Sequence, residues 1–595
     1  MKKLAVFALT LGLAAPSLFA QNSIEQIAPE NSIVVASVAD MNRSMERLRR
    51  TPLYELWNAP EMTDVRKEMA DSFENDFAEL LRELGLEKDV QWYPSGSAGM
   101  AVFTVVDAET GRIVPAMVAF ADYGASAAQM AEAIQKMLAR QERDGEIEYE
   151  EKDILGRTVY AITPLESDDD MEFDFEDEFD FGFNPFEGLV DFSAETMYYV
   201  RNGDALMICT DLGALTEILD GLDKGGKGGL ADRADYRTMM DRIGPGDAHM
   251  ILLTRDLMKL IQGIDGTGMA SMFGPIAKSV IGDINAIGSA MTFDGPKAMC
   301  EMRMMVHMPN GKSGLSKLVD APAPRGAVPP YVNADALSYS VLAFQFSRVA
   351  EVAREIVQAN PMLQFWAGEV MDVVNGPVHD FLSTLGNSIT HASSMTRPIT
   401  MDSVSQLFAF EVKRPQDLEN QVAMWAPEMG LEPRDFLGHR IFSSPAMGMM
   451  MEMALGLGGG RMFLGTERDV EQGLRSLADR DRQGGLADEA AFKRALALLP
   501  DGPVVAWGYI DMVSSLEVAS VVERLSTEQM MEELRREFPE LAAEIGDEME
   551  EQSAWDKMDP AVLRRYLGPM IWQVQSTSDG FVAQAYMLGA EAGGR

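Results

Sequence analysis

The sequence contains few cysteine and histidine residues, the side chains on which many metal and redox sites depend. Only two cysteines, Cys209 and Cys300, and five histidines occur in 595 residues. Both cysteines fall in apolar, strand-like runs of the first half, where they either pair in an oxidising compartment or stay as two buried thiols on separate strands. Because the second half contains no cysteine, we expect that the fold does not depend on a disulfide.

Recognisable metal-binding motifs are also missing. The sequence has no HExxH, CxxC or EF-hand pattern, and no two histidines lie at ligand spacing from each other. His439 stands where a repeated segment, described below, has Arg157. That position therefore tolerates a change of donor chemistry, and we expect the histidines to be structural.

Basic residues are scarce relative to acidic ones, 51 against 93, and the formal net charge is −42. A charge of this sign and size repels nucleic acid and anionic membranes. We therefore expect no nucleic-acid binding. The acidity favours solubility in a salty exterior over the alternative, which is recruitment of cations or of a basic partner.

Long apolar runs are absent after the N-terminus. Residues 1–20 begin with Lys2 and Lys3, continue with an apolar stretch and end with Ala20. This is the pattern of a secretory signal peptide, and the apolar run is shorter than the roughly 20 residues of a membrane-spanning helix. The sequence predicts a protein exported to the periplasm or the cell exterior, without a transmembrane segment after cleavage and without the cysteine of a lipid anchor.

Motifs for nucleophilic or nucleotide chemistry are missing too. There is no GxSxG, papain-like or SxxK pattern. Gly311, Lys312 and Ser313 end like a phosphate-binding loop, but Val306 stands where that loop needs glycine, and Arg461 breaks a glycine-rich run at 456–460. The sequence identifies no catalytic residue and no cofactor site. We therefore expect that the protein is not an enzyme.

What the sequence does contain is a repeat. The pentapeptide Gly-Gly-Leu-Ala-Asp occurs at 228–232 and at 484–488, and the same spacing aligns Thr210 with Thr466 and Gly246 with Gly502. Residues 155–160 match 437–442 at a different spacing, and weaker matches join 117–120 to 407–410 and 293–295 to 578–580. The chain is too long for one core, so we expect two tandem homologous modules of one fold.

The spacings between the repeated segments also predict the boundaries of the two modules and the places where one module has extra residues. Module one is expected at 21–320, with an acidic insertion near 166–191, and module two at 334–595, with a charged helical insertion near 523–567. A Pro-rich linker at 321–333 separates them. The helical insertion is predicted to open at Ser526, since Ser526 and Gln529 have the spacing of a capping box.

Within a module, hydrophobic periodicity gives the order of elements. Short apolar runs predict strands at 33–38, 99–106, 113–121, 205–209 and 249–254, and a one-sided apolar pattern predicts a helix at 127–138. Asp294 and Gly295 are expected to turn a closing hairpin. Because helices and antiparallel pairs intermix, the predicted class is α+β, with a mostly antiparallel sheet packed against helices in each module.

The acidic insertion is the most distinctive local feature. It alternates acids with phenylalanines, which suits a strand with one apolar face or a disordered segment that orders on a partner. A mobile loop is the simplest interpretation, and the crowded carboxylates leave a calcium site as an alternative. The residues expected to contact a protein or envelope partner are Asp168, Asp169, Asp170, Glu172, Phe173, Asp174, Phe175, Phe179 and Phe181.

Methionine is abundant, with 43 residues in all. One cluster comprises Met302, Met304, Met305 and Met308 around His307, and another runs from Met447 to Met453. Thioethers are soft ligands that suit Cu(I), but methionine also serves as an adaptable apolar filler. Filling is the simpler interpretation, and copper binding remains an alternative.

With its signal peptide, its two copies and the Gly-Gly-Leu-Ala-Asp landmarks, the chain resembles a family of uncharacterised exported bacterial proteins that carry a domain of unknown function. The resemblance lies in the strand and helix pattern of both halves, and implies export but no activity. We expect a non-catalytic binding or structural protein of the cell envelope or exterior, with the groove between the modules as its interaction surface. The alternatives are a secreted hydrolase with dispersed active-site residues and a calcium- or copper-binding protein.

Overall fold

The structure is a computed structural model that describes residues 23–67, 93–107, 110–165, 196–225, 229–264, 269–325, 328–401, 403–444, 453–478, 484–538 and 558–591. Ten strands belong to the first half of the chain: Ser32–Val38 (β1), Ala98–Val106 (β2), Ile113–Asp122 (β3), Ile147–Ile154 (β4), Arg157–Pro164 (β5), Met197–Asn202 (β6), Ala205–Cys209 (β7), Ala248–Leu252 (β8), Ala286–Phe293 (β9) and Cys300–His307 (β10).

Ten more strands belong to the second half: Ala336–Ala343 (β11), Leu385–Met395 (β12), Val404–Val412 (β13), Glu432–Phe436 (β14), His439–Ser443 (β15), Ala454–Gly458 (β16), Arg461–Gly465 (β17), Ala506–Ile510 (β18), Leu567–Thr577 (β19) and Gly580–Gly589 (β20).

The helices of the first half are Ile24–Ile27 (α1), Met41–Leu48 (α2), Pro52–Trp57 (α3), Ala127–Asp144 (α4), Leu212–Asp223 (α5), Ala234–Ile243 (α6), Thr254–Ile264 (α7) and Met269–Ile281 (α8). Those of the second half are Val349–Ala359 (α9), Pro361–Asn375 (α10), Pro377–Leu382 (α11), Pro415–Trp425 (α12), Glu467–Ala478 (α13), Ala490–Leu496 (α14), Met512–Glu537 (α15) and Pro560–Leu563 (α16).

Within the described ranges, the twenty strands form one antiparallel sheet, and the helices around it confirm the predicted α+β class. In the first half the spatial order is β4-β5-β6-β7-β3-β2-β1-β8-β9-β10. In the second half the order is β14-β15-β16-β17-β13-β12-β11-β18-β19-β20, the same sequence of elements. The last strands of the two halves, β10 and β20, pair with each other and make the sheet continuous.

The repeated sequence landmarks occupy the same structural positions in both halves. Gly229 forms a bridge to Pro29 just before β1, and Gly485 forms one to Asn333 just before β11. The leucine that follows each glycine is fully buried in the core of its half. At the second landmark, Leu155 and Leu437 both adopt left-handed backbone conformations, each followed by a left-handed glycine, in the turns before β5 and β15.

Helices cover both faces of the sheet. We call the face that carries α5 and α6 face one, and the opposite face, which carries α4 and α7, face two. On face one, α5 and α6 pack against β1, β3 and β10, and α13 and α14 pack in the same way in the second half. On face two, α4 covers the outer strands of the first half, α12 covers those of the second half, and α7 packs against β1 and β2. The predicted single buried face of α4 is confirmed, because Met130, Ile134 and Leu138 all lie inside.

The two halves also exchange helical contacts. Leu56 and Met62, which follow β1, share a buried cluster with Val513, Val562 and Leu563, which lie between β18 and β19 of the other half. On the opposite side, Asn360 at the end of α9 donates a hydrogen bond of 2.5 Å to Ser279 Oγ in α8. In each half, therefore, the helical segment that follows the first strand, β1 or β11, packs against helices of the other half.

Two sequence-based expectations on local structure need correction. The charged helix does not open at Ser526, because α15 begins fourteen residues earlier, at Met512, and is capped by Asp511, whose side chain accepts from Ser514 N at 3.0 Å. The strand expected at 249–254 ends at Leu252, since Thr254 is already the first residue of α7. In both places a helix begins sooner than the local pattern indicated.

The described parts of the predicted linker at 321–333 lie against the second half. Ala323 N donates to Val504 O at 2.6 Å, and Trp507 Nε1 donates to Pro324 O at 2.9 Å. Tyr331 and Val332 are buried in the core of the second half. The two cysteines, both within the described residues, are free thiols. None of the described helices has the length and apolar character needed to cross a bilayer.

Candidate functional site

The middle of the sheet, where β10 meets β20, offers the most distinctive surface of the described residues. Side chains alternate along a strand, so those of β10 divide between the two faces. Met305 is fully buried in the face-one core beneath α6, which places Glu301, Arg303 and His307 on the same face. Cys300, Met302 and Met304 therefore lie on face two.

Strand register brings further methionines to the same place. Met302 lies directly opposite Met291 of β9. Met304 lies opposite Ser289, and Met250 of β8 lies opposite Ser289 on the other side. Directly opposed residues have Cβ atoms about 5 Å apart, and diagonal neighbours are about 7–8 Å apart. The four methionines therefore surround Ser289, and we call this group the methionine face: Met250, Met291, Met302 and Met304.

The methionine face is open to solvent. Met250, Met302 and Met304 are exposed by 43%, 42% and 39%, respectively, and Met291 is half-buried. Uncharged residues fill the face-two positions of the three central strands, which are Ile287, Ser289, Met291 and Phe293 of β9, Cys300, Met302, Met304 and Val306 of β10, and Phe581, Ala583, Ala585 and Met587 of β20. In a chain with 93 acidic residues, none of these strand positions carries a charge, although the Lys312 ammonium lies 5.1 Å from the centre of the Phe581 ring.

The second half does not repeat the methionine face. Taking strands in the same order and register, Gly508 stands in place of Met250, Trp572 in place of Ser289 and Val574 in place of Met291. Ala583 and Ala585 stand in place of Met302 and Met304. The Trp572 ring packs on Gly508, where an added Cβ would lie 2.6 Å from the ring. The same strand order in the second half therefore forms without methionine at these positions.

Cys300 lies beside the methionine face, two residues from Met302. Burial raises the pKa of its thiol to about 11, and the negative charges of Glu301 and Asp247 add to the effect. Asp247 is itself buried, forms an ion pair of 3.3 Å with Arg47 and accepts a hydrogen bond from Phe293 N at 2.7 Å. At neutral pH the Cys300 thiol is therefore protonated and uncharged.

A depression of about 170 Å³ lies on face one, behind the same strands. Its walls include Glu301, Arg303, Gln584 and Tyr586, contributed by both halves. Glu301 accepts a hydrogen bond of 2.8 Å from Lys297 N, and the Lys297 ammonium lies 5.1 Å from the centre of the Tyr586 ring. Polar side chains of both halves thus line this depression, and the expectation of an interaction surface between the modules stays a prediction.

Most residues singled out from the sequence lie elsewhere. The acidic insertion, with its nine candidate partner-binding residues, falls outside the described residues, as do Met447, Met449, Met450 and Met451. His307 is buried on face one, where burial lowers its pKa. His249 is also buried, with Nε2 3.1 Å from Gly244 O. Over the described ranges, no group of three or more His, Cys, Asp or Glu side chains is placed to hold a metal ion.

The sequence cluster around His307 is divided by the strand. Met305 is buried on face one and Met308, just beyond the strand, is buried too, whereas Met302 and Met304 are exposed on face two. Sequence reasoning missed Met250 and Met291, since they join the cluster only through strand pairing. The available signal was the alternation of Cys300, Met302 and Met304, which predicts that all three share one face of a strand.

Comparison of the chain with models of protein families, with curated proteins and with solved structures found no match.

Proposed function

We propose that the chain is an exported, non-catalytic binding protein and that it binds its ligand on the methionine face. The observation that carries this proposal is the exposure of three large apolar side chains, Met250, Met302 and Met304, side by side in the middle of the sheet. Single exposed apolar residues are ordinary on protein surfaces, but contiguous ones mark interaction sites. Export rests on the signal-peptide pattern of residues 1–20.

We infer that the two halves are homologous modules joined in tandem. The same order of ten strands in each half supports this, together with the shared backbone conformation at the two repeated landmarks. The methionine face then belongs to module one alone, at positions where module two has Gly508, Trp572 and Val574. Side chains that depart from a shared scaffold are candidates for a specific function, because the scaffold itself does not need them.

A binding role suits the physical character of this face. Methionine has three rotatable bonds and a polarisable sulfur, so a cluster of methionines adapts its shape to a ligand. The net charge of −42 disfavours anions by long-range repulsion. A ligand that contacts the methionine face is therefore expected to be uncharged or cationic.

The proposal is tested with an apolar fluorescent dye that brightens when it binds exposed apolar surface. We expect the purified protein to bind the dye, and Met302→Glu combined with Met304→Glu to reduce the bound signal strongly, because two carboxylates then occupy the face. The matched control combines Met424→Glu with Met530→Glu. These two methionines are exposed by 63% and 43% and lie on helices α12 and α15.

All variants are first compared by thermal unfolding, so that a loss of dye binding is read only from folded protein. An equal loss of signal in the control would contradict the proposal, since dye binding would then not be specific to the methionine face. An unchanged signal in the Met302 and Met304 variant would contradict it as well.

A further inference from the structure

We propose that the methionine face is a site for one soft monovalent metal ion, Cu(I), bound by thioether sulfurs above Ser289. The inference rests on the proposed function, since it names the ligand of the same surface. Four thioethers contributed by three neighbouring strands surround one small side chain, and this arrangement appears only when the strands pair.

The space for an ion comes from Ser289. Met250 and Met304 flank it on the two adjacent strands, and Met291 follows it by two residues on the same face of β9. Neighbouring strands lie about 4.8 Å apart, and residues two apart on a strand lie about 6.6 Å apart. Methionine side chains are long enough to span such distances, so the register puts four thioethers within reach of one ion over Ser289. The equivalent position of the second half is filled by Trp572.

The donor chemistry selects the metal. Thioether sulfur is a soft ligand that suits Cu(I), whereas calcium and magnesium require oxygen donors and structural zinc sites use thiolate and imidazole. The face-two positions around Ser289 hold no carboxylate or histidine that would favour a harder ion. Because thioethers are neutral, binding releases no proton, and the positive charge of the ion is favoured by the negative field of the chain.

Cys300 is a neighbour of this site and not one of its ligands. It lies two residues beyond Met302, on the side away from Ser289. A free thiol binds Cu(I) by itself, however, so the test has to be made without it. We therefore choose Cys300→Ala as the background for every variant, since the other free thiol, Cys209, is fully buried.

The experiment titrates the purified full-length protein anaerobically with Cu(I) held by a chromogenic chelator. The Cys300→Ala protein is expected to remove one equivalent of Cu(I) from the chelator. Free Cu(I) at about a hundredfold excess over Kd is expected to raise its Tm by about 2 °C. Calcium and zinc are expected to have no such effect, and X-ray absorption of the bound copper is expected to report sulfur neighbours.

The decisive variant adds Met302→Leu and Met304→Leu to this background, since leucine keeps the apolar volume and removes the sulfur. Losing even an outer-shell partner costs a metal site about 10- to 100-fold in affinity, so losing two ligands should weaken Cu(I) binding by at least about 100-fold. The control adds Met424→Leu and Met530→Leu and should bind like the background.

Retention of full Cu(I) affinity by the Met302 and Met304 variant would overturn the inference, as would equal weakening in the control. Failure of the Cys300→Ala protein to bind Cu(I) would assign any copper binding to a thiol and would also overturn it. In either case the proposed binding function is judged separately, because the dye experiment contains no metal.

Discussion

At the scale of single residues, Gly580 holds the junction between the halves. It begins β20 with a φ of 137°, and a Cβ placed there would overlap the carbonyl oxygen of Val306 in β10. We expect Gly580→Ala to destabilise the protein by at least about 2 kcal/mol, because the new side chain meets backbone and the conformation is strained for alanine. Urea unfolding followed by circular dichroism measures the change.

Gly221→Ala is the matched control. Gly221 lies inside α5, and a Cβ at this position meets nothing within 4 Å. Alanine is better than glycine in a helix interior by roughly 0.5–1 kcal/mol, so this variant should be as stable as the parent or more stable. If both variants lost the same stability, the special role of Gly580 at the junction would be refuted.

The matching residues of the two halves predicted which positions correspond, but they did not predict the backbone conformation at those positions. The Leu-Gly pairs at 155–156 and 437–438 marked equivalent places in the sequence, and the structure gives both the same left-handed turn. Leucine is not a residue that favours this conformation, which is typical of glycine and asparagine. The sequence therefore showed that the two Leu-Gly pairs correspond, but it did not show which type of turn they form.

At the scale of elements, the start of α15 depends on Asp511. One carboxylate oxygen accepts from Ser514 N at 3.0 Å and the other accepts from Ser514 Oγ at 2.8 Å. We expect Asp511→Ala to destabilise the protein by about 1 kcal/mol, the usual cost of losing an N-cap. Thermal unfolding and urea titration measure this loss.

Ser526→Ala provides the contrast, because Ser526 lies inside α15. Alanine has the better helix propensity, so the variant should be neutral or slightly stabilised. A larger loss from Ser526→Ala than from Asp511→Ala would mean that the helix begins at Ser526 after all. The sequence pattern misled because a serine three residues before a glutamine fits a helix interior as well as its beginning.

Strand positions were predictable where a short apolar run is joined to the next by a turn, as for β2 and β3, but register was not. The weak match of 117–120 with 407–410 pairs Ala119 with Ala409, whereas strand pairing places Ala119 beside Ile208 and Phe408 beside Leu464. Since Ile208 and Leu464 correspond by the spacing of the main repeat, Ala119 corresponds to Phe408. A slip of one residue exchanges the two faces of a strand, and only the pairing partners decide it.

At the scale of the whole molecule, the halves depend on each other. They share eight residue pairs between β10 and β20 and the buried cluster of Leu56, Val513 and Leu563. Arg242 of α6 also forms an ion pair of 2.5 Å with Asp579 in the turn between β19 and β20. Produced as two separate chains, 21–320 and 321–595, the halves should therefore associate into a 1:1 complex.

Size-exclusion chromatography with light scattering measures this association, and thermal unfolding compares the complex with each half. We expect each half alone to unfold at a lower temperature or to aggregate, because an unpaired central strand exposes its hydrogen-bonding edge. Two halves that fold independently and remain monomeric when mixed would contradict the expectation.

The candidate site could not be predicted from the sequence, because it depends on strand register, which the sequence did not give. Met302 and Met304 could be placed on one face from their alternation, but Met250 and Met291 lie on other strands and become neighbours only through pairing in the folded sheet. The repeat indicated a scaffold and did not indicate which departures from it matter. The differences in length between the repeated landmarks drew attention to 166–191 and 523–567, whereas the methionine face differs from the second half only in side chains at paired strand positions.

Joining the halves through their last strands also fixes where the sheet stops. Among the described residues, β4 pairs only with β5 and β14 only with β15, so these hairpins form the two ends. β4 carries Glu148, Glu150, Glu151 and Asp153, and β14 contains Pro433, which has no amide hydrogen to donate. A second molecule that approached either end would meet the carboxylates of β4 or the missing amide hydrogen of Pro433. These two edge strands therefore resist extension of the sheet into a fibre.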